Sequence, residues 1–168
     1  RYGNVAGSRG SIIPYFQNLL QNNTNYFPIT HKDMTRFWIN LSEGVSFVET
    51  SLLRMQGGEI FIPKIPSFKV VDVAESLAPD YEKKFVGIRP GEKIHEVLCS
   101  IDNCHNTYEF DDHYVIAPSI KFYSRPNDFS SNNLNEKGKK VQDNFEYNSK
   151  NNSHFLTIKD LNNKISEL

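Results

Sequence analysis

Residues 40–63 run NLSEGVSFVETSLLRMQGGEIFIP, a helical pattern followed at once by a strand pattern. Asn40 and Glu43 stand at capping-box spacing, with Asn in place of the usual Ser or Thr. Val45, Val48, Leu52 and Met55 then recur at helical spacing, and Gly57-Gly58 supplies the stop. Glu59-Ile60-Phe61-Ile62-Pro63 switches to a short apolar strand closed by proline. A helix running straight into a strand predicts a mixed α/β chain.

Working outward, a helix is expected to start near Ser11, with Pro14 in its first turn and Tyr15, Phe16, Leu19 and Leu20 following. It should end in the Asn-rich run 21–25. Tyr26 to Thr30 reads as an extended piece, placed at an edge or in a loop by Pro28. Ser67 can cap a helix through Val70, Val71, Ala74 and Leu77, which Pro79 ends. Lys84 to Ile88 predicts a strand, Arg89-Pro90-Gly91-Glu92 a turn, and Glu92 to Leu98 a short helix. Tyr108–Phe110 and Tyr114–Ala117 read as two strands around Asp111-Asp112. From about Ser124 the composition turns to Asn, Ser, Lys and Asp, which predicts a poorly ordered or loosely docked tail. Leu156, Ile158, Leu161 and Ile165 fit one last amphipathic helix.

Composition narrows the function. Nineteen Lys and Arg against 20 Asp and Glu give a net charge of −1, which argues against a nucleic-acid partner. No apolar run approaches the ~18–20 residues of a membrane span. Two cysteines, Cys99 and Cys104, are too few for a disulfide framework and fit a reducing compartment, so a soluble, cytoplasmic chain is expected. Their spacing with His105 and His113 does not match a structural zinc site, and no metal is expected. The opening, Arg1-Tyr2-Gly3-Asn4, lies inside a motif and reads as the C-terminal piece of something longer.

Candidate sites emerge in three places. Gly7-Ser8-Arg9-Gly10 is a donor-rich loop opening onto a helix, able to approach phosphate or a nicotinamide ring; the alternative is an ordinary glycine turn. Arg36 is suited to binding phosphate through its planar fork, or else to stacking on neighbouring Trp38. Arg89 and Glu92 flank a rigid Pro-Gly turn, where they could hold a diphosphate and a sugar hydroxyl, or simply pair with each other. Catalytic patterns are missing: no Gly-x-Ser-x-Gly, no His-Glu-x-x-His, and no Tyr followed four residues later by Lys.

Four segments together resemble one family. Residues 1–11, Met34-Thr35-Arg36-Phe37-Trp38-Ile39, Gly58 to Ser67 and Gly87 to Glu96 are similar, in order, to inverting UDP-N-acetylglucosamine 4,6-dehydratases of the PseB type, which are extended short-chain dehydrogenase/reductases. The resemblance implies an α/β fold: the C-terminal part of an extended Rossmann fold with a small mixed α+β substrate-binding region. It implies residues 1–20 as the end of an NADP-binding domain, 21–123 as a nucleotide-sugar-binding region with interleaved Rossmann elements, and 124–168 as a polar tail. Asn4, Ile12, Thr30, Arg36, Arg89 and Glu92 then correspond to substrate-binding positions. Val5, Ala6, Gly7, Ser8 and Arg9 correspond to the loop along NADP.

The implied reaction is the first step toward pseudaminic acid, an internal redox cycle on UDP-N-acetylglucosamine. Hydride passes from C4 to NADP, water is lost across C5–C6, hydride returns to C6, and C5 is reprotonated from the opposite face. The family's fingerprint loop, Tyr-x-x-x-Lys pair and acid/base residues would all lie upstream of Arg1. This chain alone is therefore expected to be inactive, with a bare apolar surface and poor solubility, and the full enzyme to be a homo-oligomer. Two other readings stay open: a capsule- or O-antigen-pathway UDP-sugar 4,6-dehydratase or 5-epimerase, and a non-catalytic nucleotide-sugar-binding module.

Overall fold

The computed structural model describes residues 1–120 and 128–168. In chain order the elements are α1 (Ile12–Gln21), β1 (Tyr26–Ile29), β2 (Thr35–Phe37), α2 (Leu41–Arg54), β3 (Ile60–Pro63), β4 (Ser67–Lys69), α3 (Val70–Leu77) and β5 (Glu82–Phe85). There follow β6 (Val97–Cys99), a 3-10 helix (Ile101–Asn106), β7 (Thr107–Glu109), β8 (His113–Ile116), β9 (Lys139–Lys140), β10 (Tyr147–Asn148) and α4 (Ile158–Ser166). Parallel and antiparallel pairings coexist, so the expected mixed α/β class stands. The elements group into two compact units, each assembled from separated stretches of chain.

The helix-rich unit comprises Gly3–Leu41, Ile65–Glu96 and Ser149–Leu168. Its core gathers Phe16 from α1, Phe27 and Ile29 from β1, Val73 and Ala74 from α3, and Leu161 from α4, all fully buried. Phe16 and Phe27 stack with ring centroids 4.5 Å apart, and Trp38 meets Phe68 edge-on at 5.7 Å. β1 runs parallel to β5, with Pro28 opposite Lys84. Each is an edge in this two-stranded pairing, where a missing proline donor is tolerated. β2 and β4 form an antiparallel pair, Arg36 opposite Phe68.

The sheet unit comprises Arg1–Tyr2, Ser42–Lys64 and Val97–Asn148. Its main sheet has the order β3-β8-β7-β9, antiparallel throughout, and β6 pairs separately with β10. Phe61, Phe110, Val115 and Phe129 form its core. Gly138 is required there, because a Cβ would sit 2.6 Å from the Phe110 ring. The helix expected from residues 40–57 is present as α2, but its stripe of Leu41, Val45, Val48, Leu52 and Met55 is solvent-exposed. The buried residues of α2 are Gly44 and Arg54. Arg54 bonds Glu136 through Nε (2.7 Å) and Nη2 (2.9 Å), and Asp112 through Nη2 (3.0 and 3.1 Å).

Three expectations need correction. Residues 92–98 do not form a helix; turn and extended backbone lead into β6. The carbonyls of Lys93 and Ile94 are taken by the Arg36 guanidinium, and that of Ile94 also by the Thr35 amide, which removes them from any helical ladder. Ser67 does not cap α3; it is buried in β4, and Lys69 occupies the N-cap without a side-chain bond. The shift to polar composition placed at Ser124 falls within residues 121–127, outside those described. Beyond it, residues 128–168 are neither disordered nor loosely docked. Phe129, Tyr147, Leu156 and Leu161 are buried, and β9, β10 and α4 are formed.

The polar residues explain how such a segment orders. Asn132 Oδ1 accepts from the amides of Leu134 and Glu136, while Asn152 Nδ2 donates to Ile65 O and Ser67 Oγ. Thr157 and Asp160 form a reciprocal capping box on α4. The asparagines are turn and capping devices.

Candidate functional site

The site lies wholly within the helix-rich unit, as a cavity of about 410 Å³. Of the expected substrate positions, Asn4, Ile12, Thr30, Arg36, Arg89 and Glu92 all line it. Val5 and Ala6 line it too, fixed by a bridge of Val5 to Ile39 and an Ala6 amide bond to Ile39 O (2.8 Å). Gly7, Ser8 and Arg9 do not; they form an exposed loop in which Gly7 takes φ +74°.

The amino end of α1 opens on this space. Ser11 is the N-cap with extended backbone, yet its hydroxyl makes no capping bond and is a buried Oγ without a partner. Gly10 and Ser11 both face the cavity. The first N–H groups of a helix are free of intrahelical partners and favour negative charge.

Arg36 leaves β2 toward the 93–96 segment, while Trp38 turns into the core against Phe68. Its Nη1 donates to Thr35 O (2.7 Å) and Ile94 O (3.0 Å), Nη2 donates to Lys93 O (2.8 Å), and Nε faces Glu96 Oε1 at 3.5 Å. One Nη2 hydrogen is left over from the five guanidinium donors. Burial holds the guanidinium pKa below its usual value, with Glu96 and Glu92 offsetting only part of the drop; an arginine so placed is still charged. Arg36 therefore staples the segment and still offers a positive donor.

The Arg89–Glu92 turn closes through Glu92 N to Arg89 O (3.0 Å), with Gly91 at φ +80°, a backbone region that favours glycine. Glu92 does not pair with the Arg89 guanidinium. Its carboxylate accepts from the Arg89 amide (3.3 Å) and the Thr30 hydroxyl (3.3 Å). Arg89 remains exposed, so the cavity is lined by two cationic groups, two carboxylates (Glu92, anchored in the turn, and Glu96, beside Arg36) and a helix amino end.

Residues 1–118 match the family described as polysaccharide biosynthesis protein. The chain belongs to that family. It is 55% identical over 161 residues to UDP-N-acetylglucosamine 4,6-dehydratase (inverting) of Campylobacter jejuni serotype O:2, covering 96% of this chain and 48% of the relative. Capsular polysaccharide biosynthesis protein CapD of Staphylococcus aureus is 35% identical over 68% of this chain and 22% of its own. Among solved structures, Pen from Bacillus thuringiensis superposes with a TM-score of 0.79 at 27% identity, over 99% of this chain and 48% of that one. The chain thus spans about half the length of this Campylobacter dehydratase and of a second one of the same name, from Campylobacter jejuni serotype O:23/36, to which it is 53% identical.

Sequence reasoning assigned no role to Thr35, His95, Glu96 or Ser149. The first three lie inside the motifs already quoted, so the signal was proximity to Arg36 and Glu92. Ser149 carried none. Cys99 is buried and Cys104 half-buried, both as free thiols, and among the described residues no cluster of His, Cys, Asp or Glu could hold a metal ion. Among the described residues no helix is long and apolar enough to cross a membrane.

Proposed function

We propose that this chain supplies the nucleotide-sugar-binding part of an NADP-dependent, C5-inverting UDP-N-acetylglucosamine 4,6-dehydratase acting early in pseudaminic acid synthesis, as a cytoplasmic homo-oligomer. The observation that carries the reading is the convergence of Arg36 with Arg89 and Glu92, which follow it by 53 and 56 residues, on one cavity with the amino end of α1. The similarity to the Campylobacter UDP-N-acetylglucosamine 4,6-dehydratase (inverting) supports it.

Each residue's part follows from its chemistry. Arg36 and Arg89 neutralise a diphosphate, which also suits the helix amino end. Glu92, already accepting two hydrogen bonds, has acceptor capacity left for ribose hydroxyls. Asn4, exposed and lining the cavity, offers its side-chain amide to the sugar. For the cofactor, the chain offers one edge only: Val5 and Ala6 on the wall and the exposed Ser8 and Arg9 beyond it, small and donor-bearing groups that fit a dinucleotide's flank. NADP, when bound, supplies hydride acceptance at sugar C4 and its return at C6. With no Tyr-x-x-x-Lys pair in its sequence, the chain by itself binds and orients and does not turn over.

Calorimetric titration with UDP, uridine and UDP-N-acetylglucosamine tests the reading. UDP and the nucleotide sugar should bind, and uridine should bind at least about tenfold more weakly, because the arginines act on phosphate. Equal affinity for uridine and UDP would remove the diphosphate role. Formation of 4-keto sugar by these 168 residues alone would refute the division of labour.

A further inference from the structure

The nucleotide reading leaves unexplained why a serine far from the motifs is buried beneath them. Ser149 is fully buried and Thr35 nearly so, and their hydroxyls lie 2.7 Å apart. Ser149 Oγ also accepts from the Glu96 amide (2.9 Å) and donates to Thr35 O (3.2 Å), and its own amide donates to Glu96 O (2.8 Å). Thr35 Oγ1 bonds His95 Nδ1 at 2.8 Å, and the Thr35 amide donates to Ile94 O at 3.0 Å. Residues 94, 95 and 96 are thereby each tied, through backbone or ring, to a hydroxyl-bearing residue on another segment. Glu92 stands two residues before this tether, and Arg36 one residue after Thr35.

We propose that Thr35 and Ser149 are positioning residues for the nucleoside-diphosphate ligand: their paired hydroxyls lock residues 94–96, and so set the Arg36 guanidinium and the Glu92 carboxylate at the cavity. This rests on the reading above that the cavity takes a nucleoside diphosphate. The physical ground is satisfaction of buried donors. Without the Ser149 hydroxyl the Glu96 amide loses its partner, and without the Thr35 hydroxyl His95 Nδ1 loses its partner while Ser149 Oγ keeps only the Glu96 amide and the Thr35 carbonyl. A segment that can relieve those groups only by swinging toward water carries Glu92 and the carbonyls that hold Arg36 with it. Neither hydroxyl touches the ligand.

The test uses Thr35→Val, which keeps shape and loses the hydroxyl, Thr35→Ser, which restores it, and Ser149→Ala from the other end. Two quantities are read: amide hydrogen exchange at Glu96 and Ser149, and the Kd for UDP. Thr35→Val and Ser149→Ala should each speed exchange and weaken UDP by about tenfold, with Thr35→Ser within about twofold of the unaltered chain. If Thr35→Val does not fold, Ser149→Ala decides alone. UDP binding by the unaltered chain that is unchanged in the folded hydroxyl-less variants overturns the positioning role by itself. No UDP binding by the unaltered chain overturns the nucleotide reading, and the positioning role falls with it. Equal loss in Thr35→Ser and Thr35→Val also overturns it, since packing would then be the cause.

Discussion

Replacing Arg36 by methionine separates the two things the guanidinium does. The substitution keeps the aliphatic stem and deletes three charge-assisted bonds, to the carbonyls of Thr35, Ile94 and Lys93, and the 3.5 Å ion pair with Glu96, whose carboxylate is 30% exposed and can take water. Two of those carbonyls keep another donor: Ser149 Oγ for Thr35 and the Thr35 amide for Ile94. Lys93 is exposed and can take water. The stability cost is therefore the net worth of the bonds without a buried orphan, about 2 kcal/mol. For a chain of this length that lowers Tm by roughly 4–8 °C. UDP affinity should fall further than stability implies, by about 10–100-fold, because a charged donor facing the diphosphate is gone. Thermal denaturation by circular dichroism and UDP calorimetry well below Tm read the two effects separately. A UDP Kd within twofold of the unaltered chain would show that Arg36 is only a staple. A Tm drop beyond about 15 °C would show that the carbonyls are not rescued as argued.

Other expectations follow from the sheet unit. Arg54→Met strands Asp112 and Glu136, but both carboxylates are more than a third exposed and can rehydrate, so urea unfolding should show a loss of about 2–3 kcal/mol rather than the larger cost of a wholly buried pair. His113 is held below the usual histidine range by burial, against the pull of Asp112; the Arg54 bond holds Glu136 low, and in Asp112 burial is outweighed by the His113 and Arg54 bonds. All three bind protons less readily folded than unfolded, so their stabilisation is complete above about pH 6.5 and is lost as pH falls, first through His113 and then through the carboxylates. His113→Gln should flatten the slope of urea stability between pH 7 and 5 and leave the acid limb below it. On α2, Val48→Lys with Leu52→Lys should raise solubility by light scattering while changing Tm by under about 2 °C, because both side chains are more than half exposed.

What could be read from sequence was what depends on near neighbours. α1, β3 and α4 follow from local periodicity and from proline and glycine placement, whereas the Thr157–Asp160 capping box that starts α4 is seen only in the structure. Residues 92–98 were misread because their carbonyls answer to Arg36, nearly 60 positions earlier. The polar C-terminal stretch was misread because composition counts asparagine as a sign of disorder and cannot tell that Asn132 and Asn152 close turns and pin strands. Helical spacing announced an apolar face on α2 but carries no information on what covers it. At the site, the groups that meet a ligand were visible as residue types suited to phosphate and sugar. Ser149 was invisible, because its meaning lies in a partner 114 residues away.

The helix-rich unit closes late. Its three stretches, Gly3–Leu41, Ile65–Glu96 and Ser149–Leu168, share one core, and Leu156 and Leu161 come from the last of them. During synthesis Phe16, Phe27 and Trp38 emerge well before Leu156 and Leu161, and the chain must grow by over a hundred residues before their final neighbours exist, a wait of roughly 5–20 s at ordinary translation rates. For that interval the nascent chain carries a half-made core with high contact order, open to aggregation and to chaperones. A ribosome that stalls near position 150 would therefore release a chain whose binding residues are all present and whose binding unit has never formed.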